Sequence, residues 1–313
     1  MQFGRAHAAA VHDALASYRQ LWGAFGVSVD DARAVGCAVL EPVRDFAPRL
    51  SDEMYGIADG SGLPLEDVGA LNARTELLAL SGHRAEECTT CVHLPRDGSP
   101  RTVQTWDWHE EQVDAWFVWS LHHPDGTTVH TLTEYGIVGK IGVSSRGVSV
   151  NFNALGHRGD TGMGGVPVHV VARRVLDEAG SVEHAVAVAA EARVTASSSL
   201  TVTGRSDASW YDEWSTVVIE LHPGGPTVVP AAAASARNPQ YVVHTNHFLG
   251  LARTEQVHRS GSTTYERQAL LTEETAARRP GDRAGLVRLL ADHRLGPRGL
   301  CAHPVPGAPP GER

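Results

Sequence analysis

The feature that most constrains this chain is a change of texture at Cys88-Thr89-Thr90-Cys91. Upstream, apolar residues recur at helical spacing. Val11, Leu15, Tyr18 and Trp22 fall at i, i+4, i+7 and i+11, which is one face of a helix. Helices are expected over 8–24, over 29–46 with a kink or break at Pro42, from Pro48 to about Gly60, and from Pro64 to about Leu80. Downstream come short β-prone runs at 101–108, 116–121, 127–134 and 138–144, divided by turn signals at Asp97-Gly98, Pro124-Asp125-Gly126 and Gly136. Val148, Val150 and Phe152 then alternate with Ser149, Asn151 and Asn153, so both asparagines lie on the polar face of one strand. Further on, helices are expected at 167–179, 181–192, 263–277 and 282–293, and strands at 198–203, 216–221 and 241–245. The tail, 296–313, is rich in proline and glycine and reads as irregular. This order lacks the βαβ alternation of a doubly wound sheet and predicts an α+β chain with two sheets stacked between helical layers.

Composition narrows the function classes. The chain has 313 residues, 42% hydrophobic and 20% charged, an ordinary balance for a full core. No run approaches the ~18 apolar residues of a membrane span. Residues 1–22 lack a signal-peptide core, so a cytoplasmic location is the expectation. A net charge of -9 without a basic stripe argues against a nucleic-acid partner. Lys140 is the sole lysine, which reads as a compositional preference for arginine. The cysteines, Cys37, Cys88, Cys91 and Cys301, are too few for a disulfide scaffold.

A cysteine at the head of a β-block, followed by threonines, suggests a nucleophile exposed by cutting the chain in front of it. A thiol attacks well when a base sits beside it. At a new N-terminus the α-amine itself, with a pKa of about 7.7–8.0, is such a base. Other readings stand beside this one. Cys88 is plain buried packing; or Cys88 and Cys91, with His93 or His83 and with His244 and His247, hold zinc; or the chain is an uncleaved, non-catalytic binder of a small ligand. A redox C-x-x-C reading lacks its βαβ context. The 162–165 glycine loop ahead of a helix is either an anion site or a plain loop.

Several motifs carry a resemblance: Asn72-Ala73-Arg74-Thr75-Glu76-Leu77, Cys88-Thr89-Thr90, Trp106-Asp107 and Tyr135-Gly136-Ile137-Val138-Gly139-Lys140-Ile141-Gly142. Three more complete the set: Gly147-Val148-Ser149-Val150-Asn151-Phe152-Asn153-Ala154-Leu155, Gly165-Val166-Pro167-Val168-His169 and His244-Thr245-Asn246-His247. In this order, from about residue 70 to 301, they resemble the acyl-coenzyme A:isopenicillin N (6-aminopenicillanic acid) acyltransferase family. Choloylglycine hydrolases and penicillin V acylases are similar relatives.

The resemblance implies a four-layer αββα sandwich of the N-terminal nucleophile hydrolase type. It implies self-cleavage between Glu87 and Cys88, leaving a helical segment (1–87) and a nucleophile-bearing chain (88–313) associated in one folded domain. It implies hydrolysis or transfer of acyl groups from small amides or acyl-thioesters through a Cys88 thioester. No metal or cofactor is implied beyond acyl-coenzyme A as a co-substrate, and no nucleic acid or membrane partner. Cys88 matches the nucleophile, Asp107 the aspartate that holds the α-amine, and Asn246 the oxyanion asparagine. Asn151 matches a polar position nearby; Thr89 and Thr90 support the site, His244 and His247 orient the Asn246 loop, and Lys140 is structural. Three departures stand out: Glu87 where the fungal enzymes have glycine, His222-Pro223 where they have Ser-Pro, and an end at Arg313, some tens of residues early. Either Arg313 serves as the family's active-site arginine, or the last strands are missing.

Overall fold

The computed structural model describes residues 1–82, 87–208, 213–231, 240–250, 255, 262–304 and 307. His83 and Arg313 lie outside them. The chain begins as α1 (Gln2–Ala6), α2 (Ala8–Ala24), α3 (Val29–Ala38), α4 (Leu40–Phe46), α5 (Pro48–Ser61), α6 (Leu65–Asn72) and α7 (Arg74–Leu80). The stripe read from the sequence is the buried face of α2, with Val11, Leu15, Tyr18 and Trp22 all within the core. Ser28 and Asp31 form a reciprocal capping box at the start of α3, an arrangement worth about 1 kcal/mol. α3 and α6 cross at glycines: a methyl on Gly36 would lie 2.0 Å from the Glu66 carbonyl oxygen, so the two backbones touch.

Two expected boundaries move. The chain turns at Val39, not at Pro42, and Pro42 becomes the third residue of α4. In a first turn the missing N–H has no helical partner to lose. The expected helix at 64–80 divides at Ala73 into α6 and α7. Asn72 spans the division: its Nδ2 donates to the Val68 and Gly136 carbonyls (both 2.9 Å) and its Oδ1 accepts from the Val138 amide (3.0 Å). The helices are thereby tied to the turn that enters the sheet.

Ten described strands form two antiparallel sheets, so the α+β expectation holds. β1 (Glu87–His93) is the middle of a three-stranded sheet, between β10 (Tyr241–His244) and β2 (Arg101–Asp107). The other sheet is a meander of seven in sequence order: β3 (Trp116–His122), β4 (Thr128–Glu134), β5 (Ile141–Ser144), β6 (Ser149–Ala154), β7 (Ser198–Arg205), β8 (Trp214–Leu221) and β9 (Thr227–Pro230). β9 escapes sequence reading because it is a four-residue edge strand ending in proline. The strand expected at 138–144 begins only at Ile141.

α8 (Val168–Glu178) and α9 (Val182–Ala190) pack against the seven-stranded sheet, and α10 (Thr264–Arg278) and α11 (Arg283–Leu290) against the three-stranded one. The sheets meet through β1 and β6. Parity along β1 sorts its side chains. Thr90 and Val92 face the other sheet, Thr90 bonding Asn153 and Val92 packing on Val218; Cys91 packs among Leu271, Leu286, Leu289 and Leu290. A continuous core runs from Val11 and Leu77 in the helical segment to Val150, Phe152 and Val171. No helix among the described residues is long and apolar enough to cross a membrane.

Candidate active site

Register builds the site. Antiparallel pairing of β1 and β2 sets Cys88 opposite Trp106 and Glu87 opposite Asp107. Opposite residues share a face, so the Glu87–Cys88 bond is flanked by Trp106 on one side of the sheet and Asp107 on the other. Cys88 is completely buried. Its amide donates to Asn246 Oδ1 at 2.9 Å. Its carbonyl accepts from Asn153 Nδ2 (3.0 Å) and from Arg267 Nη1 (2.8 Å). Both backbone groups of this strand residue are thus held by side chains.

Arg267 is the residue that sequence reasoning missed. α10 buries Thr264, Arg267, Leu271 and Thr275 along one stripe, and that stripe lays a guanidinium against β1. Nη1 also donates to Thr89 Oγ1 (2.7 Å), and Nη2 to Glu87 Oε2 (2.9 Å) and Asn246 Oδ1 (3.0 Å). The signal was present in the sequence: an arginine at the spacing of a helix's buried face.

Asn246 sits just past β10, with its amide donating to Thr264 Oγ1 (2.7 Å) and its Nδ2 to the Ala154 carbonyl (3.0 Å). Both neighbours of Asn246 Oδ1 are donors, which fixes the orientation of the carboxamide. His247 Nδ1 lies 3.1 Å from Thr245 Oγ1 and 3.0 Å from Thr264 Oγ1. Burial, and then the nearby His244, pushes His247 down to about 4, so it is neutral near pH 7. His244 contacts Ser199 Oγ (3.1 Å) and Glu220 Oε1 (3.2 Å), and Glu220 accepts from the Leu249 and Gly250 amides. Both histidines therefore sit in hydrogen-bond networks that shape the 245–250 turn.

The two asparagines of β6 part company. Asn153 reaches Cys88 and accepts from Thr90 Oγ1 at 2.8 Å. Asn151 instead lines a cleft of about 240 Å³ with Thr102, Gln104, Trp106, Ile141 and Gly142, and its buried Oδ1 has no hydrogen-bond partner among the described residues. Lys140 Nζ lies 3.6 Å from the centre of the Trp106 ring, a cation–π contact behind the wall facing Cys88. A larger depression of about 440 Å³, lined by Arg278, Pro280, Asp282 and Arg288, holds none of these residues.

Asp107 is half-buried, but its Oδ2 is enclosed and has no hydrogen-bond partner among the described residues. Burial raises it from 3.8 to about 7, against the pull of Arg267 and with a further push from Glu87. A raised carboxyl favours the folded state at low pH; that contribution is lost as pH climbs from 3.8 through about 7. In an uncut Cys88→Ala chain, Asp107 is expected to titrate near 7, and Glu87→Gln to lower it by removing a neighbouring negative charge. Carboxyl carbon-13 shifts followed against pH check this, and titration in the ordinary carboxylate range would place Asp107 in water.

Cys91 does not join Cys88, as three residues of strand turn it to the opposite face. A zinc site shared by the two is therefore ruled out by geometry. Burial pushes Cys91 up to about 12, leaving an inert thiol. Cys91→Ser is expected to keep most turnover and the full reactivity of Cys88, read by thiol titration and steady-state rates; loss of both would return Cys91 to the site.

A model of the acyl-coenzyme A:6-aminopenicillanic acid acyl-transferase family matches residues 95–303. The 40 kDa form of the acyl-coenzyme A:6-aminopenicillanic-acid-acyltransferase of Emericella nidulans is 28% identical over 202 residues, 64% of this chain and 52% of that protein. The chain thus spans about half the length of that protein. The family match begins later than the motifs suggest. Asp107, Asn151, Asn246 and Arg267 lie inside it, whereas Cys88 and the 72–77 motif lie before it.

Proposed function

This chain belongs to the acyl-coenzyme A:6-aminopenicillanic acid acyltransferase family, and from that premise we propose that it is a self-cleaving N-terminal cysteine acyltransferase or amidohydrolase. Cys88 Sγ attacks the Glu87 carbonyl carbon, the Glu87–Cys88 peptide bond becomes a thioester, and the Cys88 amine is released. Water then hydrolyses the thioester to a Glu87 carboxylate and a free Cys88 thiol. In the mature enzyme the α-amine takes the thiol proton, the thiolate attacks an acyl-thioester or small amide, and the departing thiol or amine carries the proton away. An amine or water then receives the acyl group from Cys88.

The observation that carries this reading is the way Cys88 is held. The nitrogen that would become the α-amine already donates to Asn246 Oδ1, and the carbonyl on the other side is clamped by Asn153 and Arg267. A residue fixed in this manner keeps its place when the preceding bond is cut. Asp107, next to the scissile bond, supplies the counter-charge for the new ammonium. The Asn246 Nδ2, on the same carboxamide, serves as oxyanion donor when a substrate oxygen replaces the Ala154 carbonyl. Arg267 takes the place for which the sequence offered Arg313. The helices–sheet–sheet–helices contacts support the αββα reading, and the shared core supports association of 1–87 with 88–313. The cleft past Trp106 is a fitting place for the acyl group, with acyl-coenzyme A as a candidate co-substrate.

The test is an acyl-enzyme trap. Protein incubated with a panel of short acyl-thioesters and quenched in acid is expected to gain one acyl mass on the fragment that begins Cys88-Thr89-Thr90, labile to hydroxylamine. Acylation elsewhere, or none in a fragment with a titratable Cys88, would refute the thioester.

A further inference from the structure

Residues 291–303 fold back on themselves at the rim of the leucine cluster. Leu300 is buried with Leu286, Leu289 and Leu290. Backbone bonds pin the loop: Gly296 N to His293 O (2.9 Å), Gly299 N to Gly296 O (3.0 Å), Cys301 N to Asp292 O (3.2 Å) and His303 N to Pro297 O (2.8 Å). The fold-back brings three metal-ligating side chains to one point. His293 Nε2 and His303 Nε2 are 2.8 Å apart, Cys301 Sγ is 3.6 Å from His303 Nε2, and all three ligand atoms lie within 4.8 Å of one another. No other three His, Cys, Asp or Glu side chains gather this way among the described residues. Cys301, isolated in the sequence, is therefore not isolated in space.

We propose that His293, Cys301 and His303 form a zinc site. With Zn–N of about 2.0–2.1 Å and Zn–S of about 2.3 Å, tetrahedral ligation sets a nitrogen and a sulfur ligand about 3.6 Å apart and two nitrogens about 3.3 Å apart. The Cys301–His303 distance already matches. The two rings need to part by about half an ångström, and both histidines are exposed and able to rotate. Two imidazoles and one thiolate suit zinc and disfavour magnesium or calcium, which want oxygen. Three protein ligands leave the fourth position to water. On binding, the Cys301 thiol loses its proton to solvent and the sulfur lone pair forms the Zn–S bond.

The site clasps a loop that touches the machinery described above. The Arg298 carbonyl accepts from Thr263 Oγ1, and Thr263 Oγ1 accepts from Arg267 Nε (3.1 Å). Zinc would hold this loop against the start of α10 and so steady Arg267. That consequence rests on the proposed function; the metal site itself does not.

The experiment uses the full chain, stripped with chelator and titrated with zinc and, separately, with cobalt(II). Expected are one equivalent of zinc, a thiolate-to-cobalt charge-transfer band in the near ultraviolet, and a higher Tm with zinc. Cys301→Ser and His303→Ala are each expected to weaken zinc by at least the ~10–100-fold that loss of an outer-shell partner produces, and Cys301→Ser to abolish the band. Both residues lie clear of the core, and circular dichroism verifies the fold of each variant; His293→Ala is a third, independent probe. Cys91→Ser and Cys88→Ser are expected to bind as the parent does, so that loss of acyl transfer in the latter is separable from loss of metal. Absence of the band, zinc affinity indifferent to Cys301→Ser, or binding that depends on Cys88 would each overturn the proposal.

Discussion

Cys88→Ala is expected to remain one chain of 313 residues, and the parent to divide into pieces of 87 and 226 (313 − 87). The variant lacks the only atom at the scissile bond that can carry the N-to-S shift, and no water attack on an unactivated peptide bond compensates on a laboratory timescale. Alanine removes one sulfur from a strand pinned by Asn246, Asn153 and Arg267, so the fold should survive. Intact-mass spectra across an incubation series give the answer directly. The parent's pieces should elute together in native chromatography, because the helices of 1–80 share a core with β6 and α8. Cleavage of Cys88→Ala at the parent's rate would remove Cys88 from the reaction. A parent that never divides, yet labels at Cys88, would leave the thiol without its α-amine base.

The second large effect is at Asn246. Loss of one oxyanion donor typically lowers kcat by ~10²–10³, or about 2.7–4 kcal/mol. The interaction belongs mainly to the transition state, so KM should change little. Asn246→Ala also takes an acceptor from the Cys88 amide and from Arg267 Nη2, and an unsatisfied buried donor costs about 1–3 kcal/mol. Asn246→Asp separates the two effects: it keeps an acceptor for the amine and the guanidinium but cannot donate. Both variants should be assayed after processing is complete, since the same groups surround the scissile bond. Asn246→Asp is expected to retain a titratable Cys88 with kcat still down by that order. A normal kcat in processed Asn246→Ala would pass the oxyanion role to Asn153 and backbone amides.

Element types were legible because periodicity is local. The α2 stripe and the β6 alternation each needed fewer than twenty residues. What was not legible depends on register between distant segments. Parity placed Asn151 and Asn153 on one face of β6, but only the stacking of β6 on β1 decides that Asn153 meets Cys88 while Asn151 looks into the cleft. Asp107 was found through Trp106-Asp107, yet its place opposite Glu87 is a property of the hairpin pairing. Arg267 is not singled out by any sequence motif, and Lys140 only by its rarity. An arginine on a buried stripe must have partners to survive there. Lys140, the sole lysine of the chain, is fully buried with its compact ammonium over the Trp106 ring. Pro42 misled because a proline reads as a breaker until its position in the turn is known.

The pairing of Glu87 with Asp107 gives the proposed cut a direction in time. Before it, Glu87 pairs with Arg267, and burial, with a further push from Glu87, keeps Asp107 reluctant to ionise. Hydrolysis adds a second carboxylate to Glu87 and an ammonium to Cys88. The new terminus would then bear two negative charges beside one guanidinium, while Asp107 would gain a cation that favours its ionised form. Repulsion would then favour Glu87 leaving the pocket as Asp107 becomes fit to keep the amine. Such an arrangement acts as a ratchet: rejoining the ends would require bringing the expelled carboxylates back against a charge that their departure created.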